Sequence, residues 1–378
     1  MTQNNLLPAP IIINTDEGLQ QLITALRAEK RIAVDTESNS LYAYQEKVCL
    51  IQFSTSSADY LLDPLSDIDL TPLGEVFSDD HIEKIFHAAE YDIICLRRDF
   101  GFEFKHIFDT MQAARVLGYP KLGLSSLLEE HFGVMVDKRY QKANWGRRPL
   151  PQEMLDYARL DTHYLIPLRD LLFNSLRRMD RLRVAVEDFT RISHSSATPN
   201  DKPCYAAARG YHTLDPHQLA VLNELCAYRE RQAFHANLPA FKILSSSVLL
   251  EIAKKSPTTI AEMQSIPGLS DKLLHRHALG LIQAVKLGLV QPPIHLNHHA
   301  KPSQSYIDRL ERLKKWRLQR AREKGLESDV ILPRDLLEEI AKSNPHTDQE
   351  LSLIMRAMPE RFKLYHDFIM EALKEKEI

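Results

Sequence analysis

Two carboxylates close together, Asp35 and Glu37, are the first residues in the chain whose types and spacing suggest chemistry. They lie at the end of a mostly apolar run, residues 31–35, which predicts a short strand. A spacing of two on a strand places both side chains on the same face. Carboxylates so close repel each other unless a cation lies between them. The pair is a candidate metal site, and the alternative is two solvated acids at a strand end.

Three more residues in later segments could join this pair. Asp92 opens a helical pattern in the segment His-Ala-Ala-Glu-Tyr-Asp, where Glu90 is the alternative acid. On its own, an aspartate at that place would be interpreted as a helix cap. Tyr157 and Asp161 are four residues apart in another helical pattern, so they stack on one helix face. Each residue alone has an ordinary structural explanation.

Four carboxylates together suit the hydrolysis of a phosphodiester bond. That reaction needs an attacking hydroxide, a stabilised leaving oxygen and neutralised phosphoryl charge. Two divalent ions about 3.5–4 Å apart supply all three. Mg²⁺ and Mn²⁺ prefer hard oxygen ligands such as carboxylates.

The elements that must position these residues come in a recognisable order. Apolar runs at 31–35, 48–54 and 59–63 predict three strands joined as a meander. Helical spacing follows at 73–77, 92–100, 110–117, 124–132 and, as one long helix with a possible kink at Pro167, at 151–178. The sequence therefore predicts a mixed sheet flanked by helices.

The back half of the chain repeats itself at an offset of 88 residues. Leu-Leu-Glu-Ile-Ala-Lys-Lys-Ser-Pro at 249–257 matches Leu-Glu-Glu-Ile-Ala-Lys-Ser-Asn-Pro at 337–345, and Arg229 matches Arg317. Such identities without a gap predict a duplicated small helical module. The predicted organisation is a first domain at 1–193, linkers at 194–212 and 291–304, and two modules at 213–290 and 305–378.

Composition fits a cytosolic globular protein. The net charge is −3, the hydrophobic fraction is 44%, and the chain has 4 cysteines without a Cys-x-x-Cys pair. We expect reduced thiols, no secretory signal and no membrane span. The basic run at 309–322 predicts either a phosphate-binding helix face or a solvated one. Arg147 and Arg148, beside Trp145, are an alternative phosphate clamp, and His87 and His163 are alternative substrate contacts.

The order and spacing of Asp35, Glu37, Asp92, Tyr157 and Asp161 resemble the Tyr-containing branch of the DEDD superfamily of 3′→5′ exonucleases. The segments at 34–37, 86–96, 108–117 and 144–168 are similar to ribonuclease D and to the related catalytic subunit of the nuclear exosome. The repeated modules resemble two HRDC domains, the second more divergent. The resemblance implies an α/β ribonuclease H-like nuclease domain followed by two small all-α domains.

The resemblance also implies roles for the residues. Asp35 would bridge two divalent ions, Mg²⁺ or Mn²⁺. Glu37 and Asp161 would hold the ion that activates water, Asp92 the ion near the leaving group, and Tyr157 would orient the water. The expected function is a cytoplasmic, monomeric exoribonuclease acting on tRNA precursors and other structured RNA 3′ ends. A related DNA exonuclease and an inactive RNA-binding scaffold are the alternatives.

Overall fold

A six-stranded mixed sheet forms the centre of the first half of the chain in the computed structural model, which describes residues 7–196, 203–296 and 302–374. The sheet order is β1-β4-β3-β2-β5-β6. The strands β2, β3 and β4 pair antiparallel, as the predicted meander requires, and the other pairings are parallel. The strands are β1 Ile11–Ile13, β2 Arg31–Ser38, β3 Val48–Ser54, β4 Asp59–Leu62, β5 Glu83–Phe86 and β6 Ile107–Asp109.

Helices cover both faces of the sheet. The strand side chains of one face pack against α1, α2 and α3, and those of the other against α4, α5 and α7. These helices are α1 Asp16–Arg27, α2 Leu73–Ser78, α3 Glu90–Phe100, α4 Thr110–Leu117, α5 Leu124–Phe132, α6 Gln152–His163, α7 Leu165–Arg178 and α8 Leu182–Ser193. The predicted mixed sheet flanked by helices is confirmed, although α1, α8 and the strands β1, β5 and β6 were not predicted.

The single long helix predicted at 151–178 is wrong. The chain forms α6 and α7 with a break at Tyr164, whose backbone leaves the helical region. Pro167 has no N–H to donate to the carbonyl four residues earlier, that of His163, and its ring crowds that carbonyl. A new helix begins instead, with Pro167 in its first turn, where proline is tolerated.

A second compact unit consists of residues 39–47 and 198–301. Its helices are α9 Pro216–Ala236, α10 Ala240–Ile243, α11 Ser246–Lys255, α12 Ile260–Gln264 and α13 Asp271–Val290. Two 3₁₀ turns, Cys204–Ala207 and Tyr211–Thr213, precede α9, and Ala208 between them is buried in the core of the unit. Residues 203–212 therefore pack onto this module, whereas 197–202 of the predicted linker lie outside the described residues.

The second module belongs to the first compact unit, together with the sheet. Its helices are α14 Gln304–Lys324, α15 Ser328–Ile331, α16 Arg334–Ser343, α17 Asp348–Ile354 and α18 Pro359–Leu373. Each begins 88 residues after its counterpart among α9–α13. Arg229 donates to the Leu244 carbonyl, and Arg317 donates to the equivalent Leu332 carbonyl at 2.9 Å. Residues 297–301 of the predicted second linker lie outside the described residues.

Some side chains of the basic run on α14 make hydrogen bonds within the second module. Arg309 and Arg312 donate from Nε to the carbonyls of Ala341 and Ala372, each at 2.9 Å. These guanidinium groups, like Arg317, satisfy carbonyls at helix ends, so they are not directed outward as the prediction of a basic outer face requires. Fewer basic side chains of α14 are therefore left to contact phosphate than the sequence predicted.

Arg361 on α18 links the second module to α8, a helix of the domain that contains the sheet. Its side chain is fully buried and lies 2.9 Å from Glu187 and 2.8 Å from Asp188. It also donates to the Val330 carbonyl at 3.1 Å. Glu187 in turn accepts from the backbone N–H of Glu360, at the start of α18. A buried charge is thereby paired and hydrogen-bonded on several sides.

Candidate active site

The strand β2 carries Asp35 and Glu37 past the end of its neighbour β5. β3 pairs with β2 from Ala33 to Ser38, whereas β5 pairs only with 31–33. The β5 side of β2 is therefore open where the two carboxylates lie. Because side chains alternate along a strand, Asp35 and Glu37 project to one face and Thr36 to the other.

Asp92 reaches this opening from the first turn of α3. The turn before α3 contains Ala88 at φ 64°, and the buried Asp109 carboxylate holds it by accepting from the N–H groups of Ala88 (3.2 Å) and Ala89 (2.8 Å). The Thr36 hydroxyl donates to Asp92. The role of Asp109 was not predicted, although an aspartate directly before the helical pattern at 110–117 is the signal for an N-cap, which it also forms.

The contacts of Glu90 favour Asp92 as the acid of this segment. Glu90 is exposed and accepts from the Ser195 hydroxyl at 3.4 Å, beside a different cavity. Asp92 is buried next to β2 instead.

The helix α6 brings Tyr157 and Asp161 to the same place. The Tyr157 hydroxyl hydrogen-bonds Asp161, and the tyrosine ring packs against Trp145 with 6.1 Å between ring centroids. A polar network anchors the end of α6. In this network the Ser54 hydroxyl hydrogen-bonds the Thr162 hydroxyl at 2.7 Å, and His163 hydrogen-bonds Asp59 at 2.9 Å. His163 therefore has a structural role in this network.

A cavity of about 390 Å³ collects most of these side chains. Asp35, Thr36, Glu37, Tyr157 and Asp161 line it, whereas Asp92 is outside the lining and is joined to it by the hydrogen bond from Thr36. The remaining lining residues are His87, Gly123, Leu124, Ser125, Val136, Lys138 and Gln141. Lys138 and Gln141 were not predicted as site residues, because a short polar stretch resembles any surface loop.

Of the other candidate residues, Arg148 and Trp145 lie outside the lining of the cavity, and His87 is part of it. Arg148 is committed to Asp63, at 2.6 Å, and to the Cys49 carbonyl, so the alternative of a phosphate clamp is wrong for it. Trp145 is buried under Tyr157. His87 does line the cavity, with its Nδ1 3.0 Å from the Thr110 hydroxyl, and burial lowers its pKa to about 4.

The electrostatics of the site favour a bound cation. Burial, followed by the charges of Asp92, Asp161 and Glu37, raises the pKa of Asp35 well above its ordinary value. Burial and the Asp161 charge raise the pKa of Glu37 to about 9. Burial is also the main reason that the pKa values of Asp92 and Asp161 rise to about 7. Several buried carboxylates that resist ionisation together are stabilised by divalent ions, whose charge offsets the repulsion.

The donor set fits Mg²⁺ or Mn²⁺, since every candidate ligand is a carboxylate oxygen. In the described part of the chain, no three His, Cys, Asp or Glu side chains already form a ready metal-binding group. The fit therefore rests on the type, burial and mutual repulsion of these carboxylates.

We expect Mg²⁺ affinity to rise with pH. Metal ligands must be deprotonated, and the raised pKa values of Glu37, Asp92 and Asp161 mean that protons compete with the ion below about pH 7–9. Between pH 6 and pH 8.5 the affinity should increase by about tenfold per pH unit for each proton displaced. Calorimetry in buffers of different ionisation enthalpy measures both the affinity and the protons released; a pH-independent affinity without proton release would contradict this expectation.

Thr36 orients Asp92, so Thr36→Val should slow hydrolysis about tenfold. A hydrogen bond to a charged group contributes about 1.5–3 kcal/mol, and valine keeps the strand propensity while removing the hydroxyl. Thr36→Ser is the matched control, because serine retains the donor and should keep most of the activity. Initial rates at saturating and limiting Mn²⁺ test this prediction, and equal rates for the serine and valine variants would oppose it.

A mixed sheet beneath a cavity of carboxylates, followed by helical modules, defines the class of this protein. Residues 10–177 match the family described as 3′-5′ exonuclease, and residues 218–285 and 307–373 match the HRDC domain. No helix among the described residues is long and apolar enough to cross a membrane.

The chain belongs to the ribonuclease D family. It is 30% identical to ribonuclease D of Desulfotalea psychrophila, covering 78% of this chain and 79% of that protein. It is 33% identical to the RRP6-like 2 protein of Arabidopsis thaliana over 71% of this chain, but spans only 33% of that longer relative. The crystal structure of Escherichia coli RNase D shares the fold, with a TM-score of 0.74 at 23% identity, covering 97% of this chain and 99% of that one.

Proposed function

We propose that this protein shortens RNA from the 3′ end, releasing 5′-mononucleotides by two-metal-ion hydrolysis. The observation that carries the proposal is the group of buried and half-buried carboxylates on β2, α3 and α6, three of which face one cavity. The ribonuclease D relatives support RNA as the substrate. By the same resemblance, the proposed substrates are tRNA precursors and other structured RNAs, the proposed location is the cytoplasm, and the proposed state is a monomer.

Each carboxylate has a proposed position in the reaction. Bound divalent ions would lower the pKa of the attacking water and stabilise the leaving oxygen. Asp35 would contact both ions, and it is close enough to Glu37, Asp92 and Asp161 for the charge of each to raise its pKa. Glu37 and Asp161 would hold the ion on the water side, and Asp92, oriented by Thr36, the ion on the leaving-group side.

Tyr157 would position the attacking water rather than remove its proton. Burial and the charges of Asp161, Glu37 and Asp35 raise the pKa of the Tyr157 hydroxyl above its ordinary value, so it stays protonated. A protonated hydroxyl beside Asp161 can donate to one group and accept from another, which fixes the direction of a water molecule. Lys138 on the cavity wall would attract the phosphate backbone.

Tyr157→Phe should lower kcat about 10²-fold with little change in KM. Phenylalanine keeps the ring that packs on Trp145 but loses the hydroxyl, so the water is misplaced while substrate binding is not. Steady-state kinetics on a short single-stranded RNA give both parameters. Tyr140→Phe is the control, because that ring also packs on Tyr157 but its hydroxyl is not assigned to the reaction. A large KM effect, or equal losses in the two variants, would contradict the assigned role.

The test of the proposed function compares RNA and DNA of one sequence. With Mg²⁺ or Mn²⁺, a 5′-labelled RNA should shorten one nucleotide at a time, and a 3′-labelled RNA should release its label first, as a mononucleotide. Faster digestion of the DNA would identify a DNA exonuclease. Binding of RNA without shortening, under conditions in which Mn²⁺ binds, would identify an inactive scaffold.

A further inference from the structure

Cys204 and Cys226 are neighbours in the second compact unit, although they are far apart in the sequence. The 3₁₀ turn Cys204–Ala207 packs on α9, the helix that carries Cys226. The Cys204 side chain packs against the core cluster that contains Cys226, and Arg229, one turn after Cys226, contacts the Cys204 sulfur. Cys226 is buried in the core of the unit, and Cys204 is partly exposed on that core.

A buried guanidinium group, that of Arg229, lies beside the Cys204 sulfur. Arg229, one turn after Cys226 on α9, places its Nη2 atom 4.0 Å from the Cys204 Sγ atom. The arginine is fixed by the Ser246 hydroxyl at 3.1 Å and is only 6% exposed. Cys204 in its thiol form donates to the Glu230 carboxylate at 3.8 Å. Arg229 and Glu230 also pair with each other, with 3.7 Å between Nη2 and Oε1, so the sulfur lies against an ion pair that offers it both a positive charge and a proton acceptor.

These contacts favour a reactive thiolate at Cys204. The hydrogen bond from Cys226 is the largest cause that lowers the pKa of Cys204, to about 7, with Arg229 acting in the same direction and burial and Glu230 against it. The pKa of Cys226 is raised, mainly by its hydrogen bond with Cys204 and by burial. One cysteine is thus suited to attack an oxidant, and the other is held as a thiol next to it.

We propose that Cys204 and Cys226 form a reversible disulfide bond when the protein meets hydrogen peroxide. The Cys204 thiolate attacks one peroxide oxygen, the O–O bond breaks, and the departing hydroxide takes a proton to become water. The Cys226 sulfur then attacks the sulfenic acid, the S–O bond breaks, and a second water leaves with the Cys226 proton. Two thiols and one peroxide give one disulfide and two waters, and a dithiol reductant reverses the change.

The other two cysteines provide an internal comparison. Cys49 on β3 and Cys95 on α3 are buried in the nuclease domain, away from water. Oxidation should therefore be confined to the second compact unit. The bond would join the turn before α9 covalently to α9 itself.

The experiment counts thiols in the full chain after treatment with hydrogen peroxide near neutral pH and denaturation. Wild type should fall from four reactive thiols to two and recover all four with dithiothreitol. Peptide mapping without reduction should find one cross-linked pair, containing Cys204 and Cys226. Four remaining thiols, or a cross-link between other cysteines, would overturn the proposal.

Two variants separate the steps. Cys204→Ser should keep its three thiols under the same treatment, because the attacking sulfur is gone. Cys226→Ala should stop at the sulfenic acid of Cys204, which dimedone labels once. Cys95→Ala is the control and should still lose two thiols. The proposal fails if Cys204→Ser loses thiols as wild type does, and circular dichroism of each variant establishes that it is folded.

Discussion

Asp35→Asn is expected to reduce the rate of RNA shortening by about 10³-fold or more while leaving the protein folded. Metal ions contribute several kcal/mol of transition-state stabilisation in such sites, and each 1.36 kcal/mol corresponds to about a tenfold change in rate. Asp35 is the carboxylate that the charges of the other three acids all affect. Its loss should therefore disturb both ions, whereas loss of Asp92 should disturb mainly one.

The stability of this variant separates a catalytic role from a structural one. Because the pKa of Asp35 is raised in the folded protein, the metal-free fold opposes an ionisation that the unfolded chain allows at neutral pH, which lowers stability; this cost disappears only at acid pH, where the carboxyl is protonated in both states. Asparagine removes the charge, so metal-free Asp35→Asn should unfold no more easily than wild type. Mn²⁺ should raise the melting temperature of wild type and have much less effect on the variant.

Asp67→Asn is the matched control, since Asp67 is an exposed acid of the same domain. It should keep full activity and the full response to Mn²⁺. If Asp35→Asn shortens RNA at the wild-type rate, the assignment of this carboxylate is wrong. If it loses activity and also unfolds in the absence of metal, Asp35 is structural and the two-metal site is not supported.

Arg361→Leu is expected to destabilise the first compact unit by about 3–5 kcal/mol, the usual cost of leaving a buried charge without its partner. Glu187 and Asp188 would then remain near each other in a buried place. Burial already raises their pKa values while Arg361 lowers them, so its removal should raise them further. The destabilisation should therefore be largest at alkaline pH and shrink as the pH falls and the carboxylates take up protons.

Urea unfolding of the full chain at pH 8 and pH 5.5, followed by a probe in α8, measures this effect. Arg183→Leu is the control: it removes an exposed pair with Glu360, which contributes only about 0–1 kcal/mol. Adding Glu187→Gln and Asp188→Asn to Arg361→Leu should recover part of the loss. Equal destabilisation by the Arg361 and Arg183 changes would show that the buried network is not what holds the second module.

The sequence predicted the parts of the fold that local patterns determine. The meander, the helices at 110–117 and 124–132 and the duplicated module all follow from hydrophobic spacing or from repeated letters, and the structure has them. Strand β1 was not predicted because three consecutive isoleucines at the edge of a sheet form no alternating pattern. The break at Tyr164 depends on one proline three residues later, whose effect on a helix varies with its surroundings.

The candidate site divides in the same way. Asp35 with Glu37, and Tyr157 with Asp161, follow from strand and helix periodicity, and their proposed roles remain to be tested. Thr36 and Asp109 were missed because their contacts join residues far apart in sequence, from β2 to α3 and from β6 to the turn before α3. The hydrogen bonds from Arg309 and Arg312 to backbone carbonyls of neighbouring helices could not be predicted either. A basic helix pattern does not show which carbonyls need donors.

The attachment of the second module through Arg361 also sets an order of events during synthesis. Residues 203–296 leave the ribosome before residues 302–374. The first helical module can therefore fold before the C-terminal part of the first compact unit has been synthesised. Until α18 arrives, Glu187 and Asp188 have no arginine beside them. The first compact unit thus receives its last buried ion pairs late, from a segment distant in sequence, and a chain interrupted before Arg361 would leave α8 without this packing and more open to proteases.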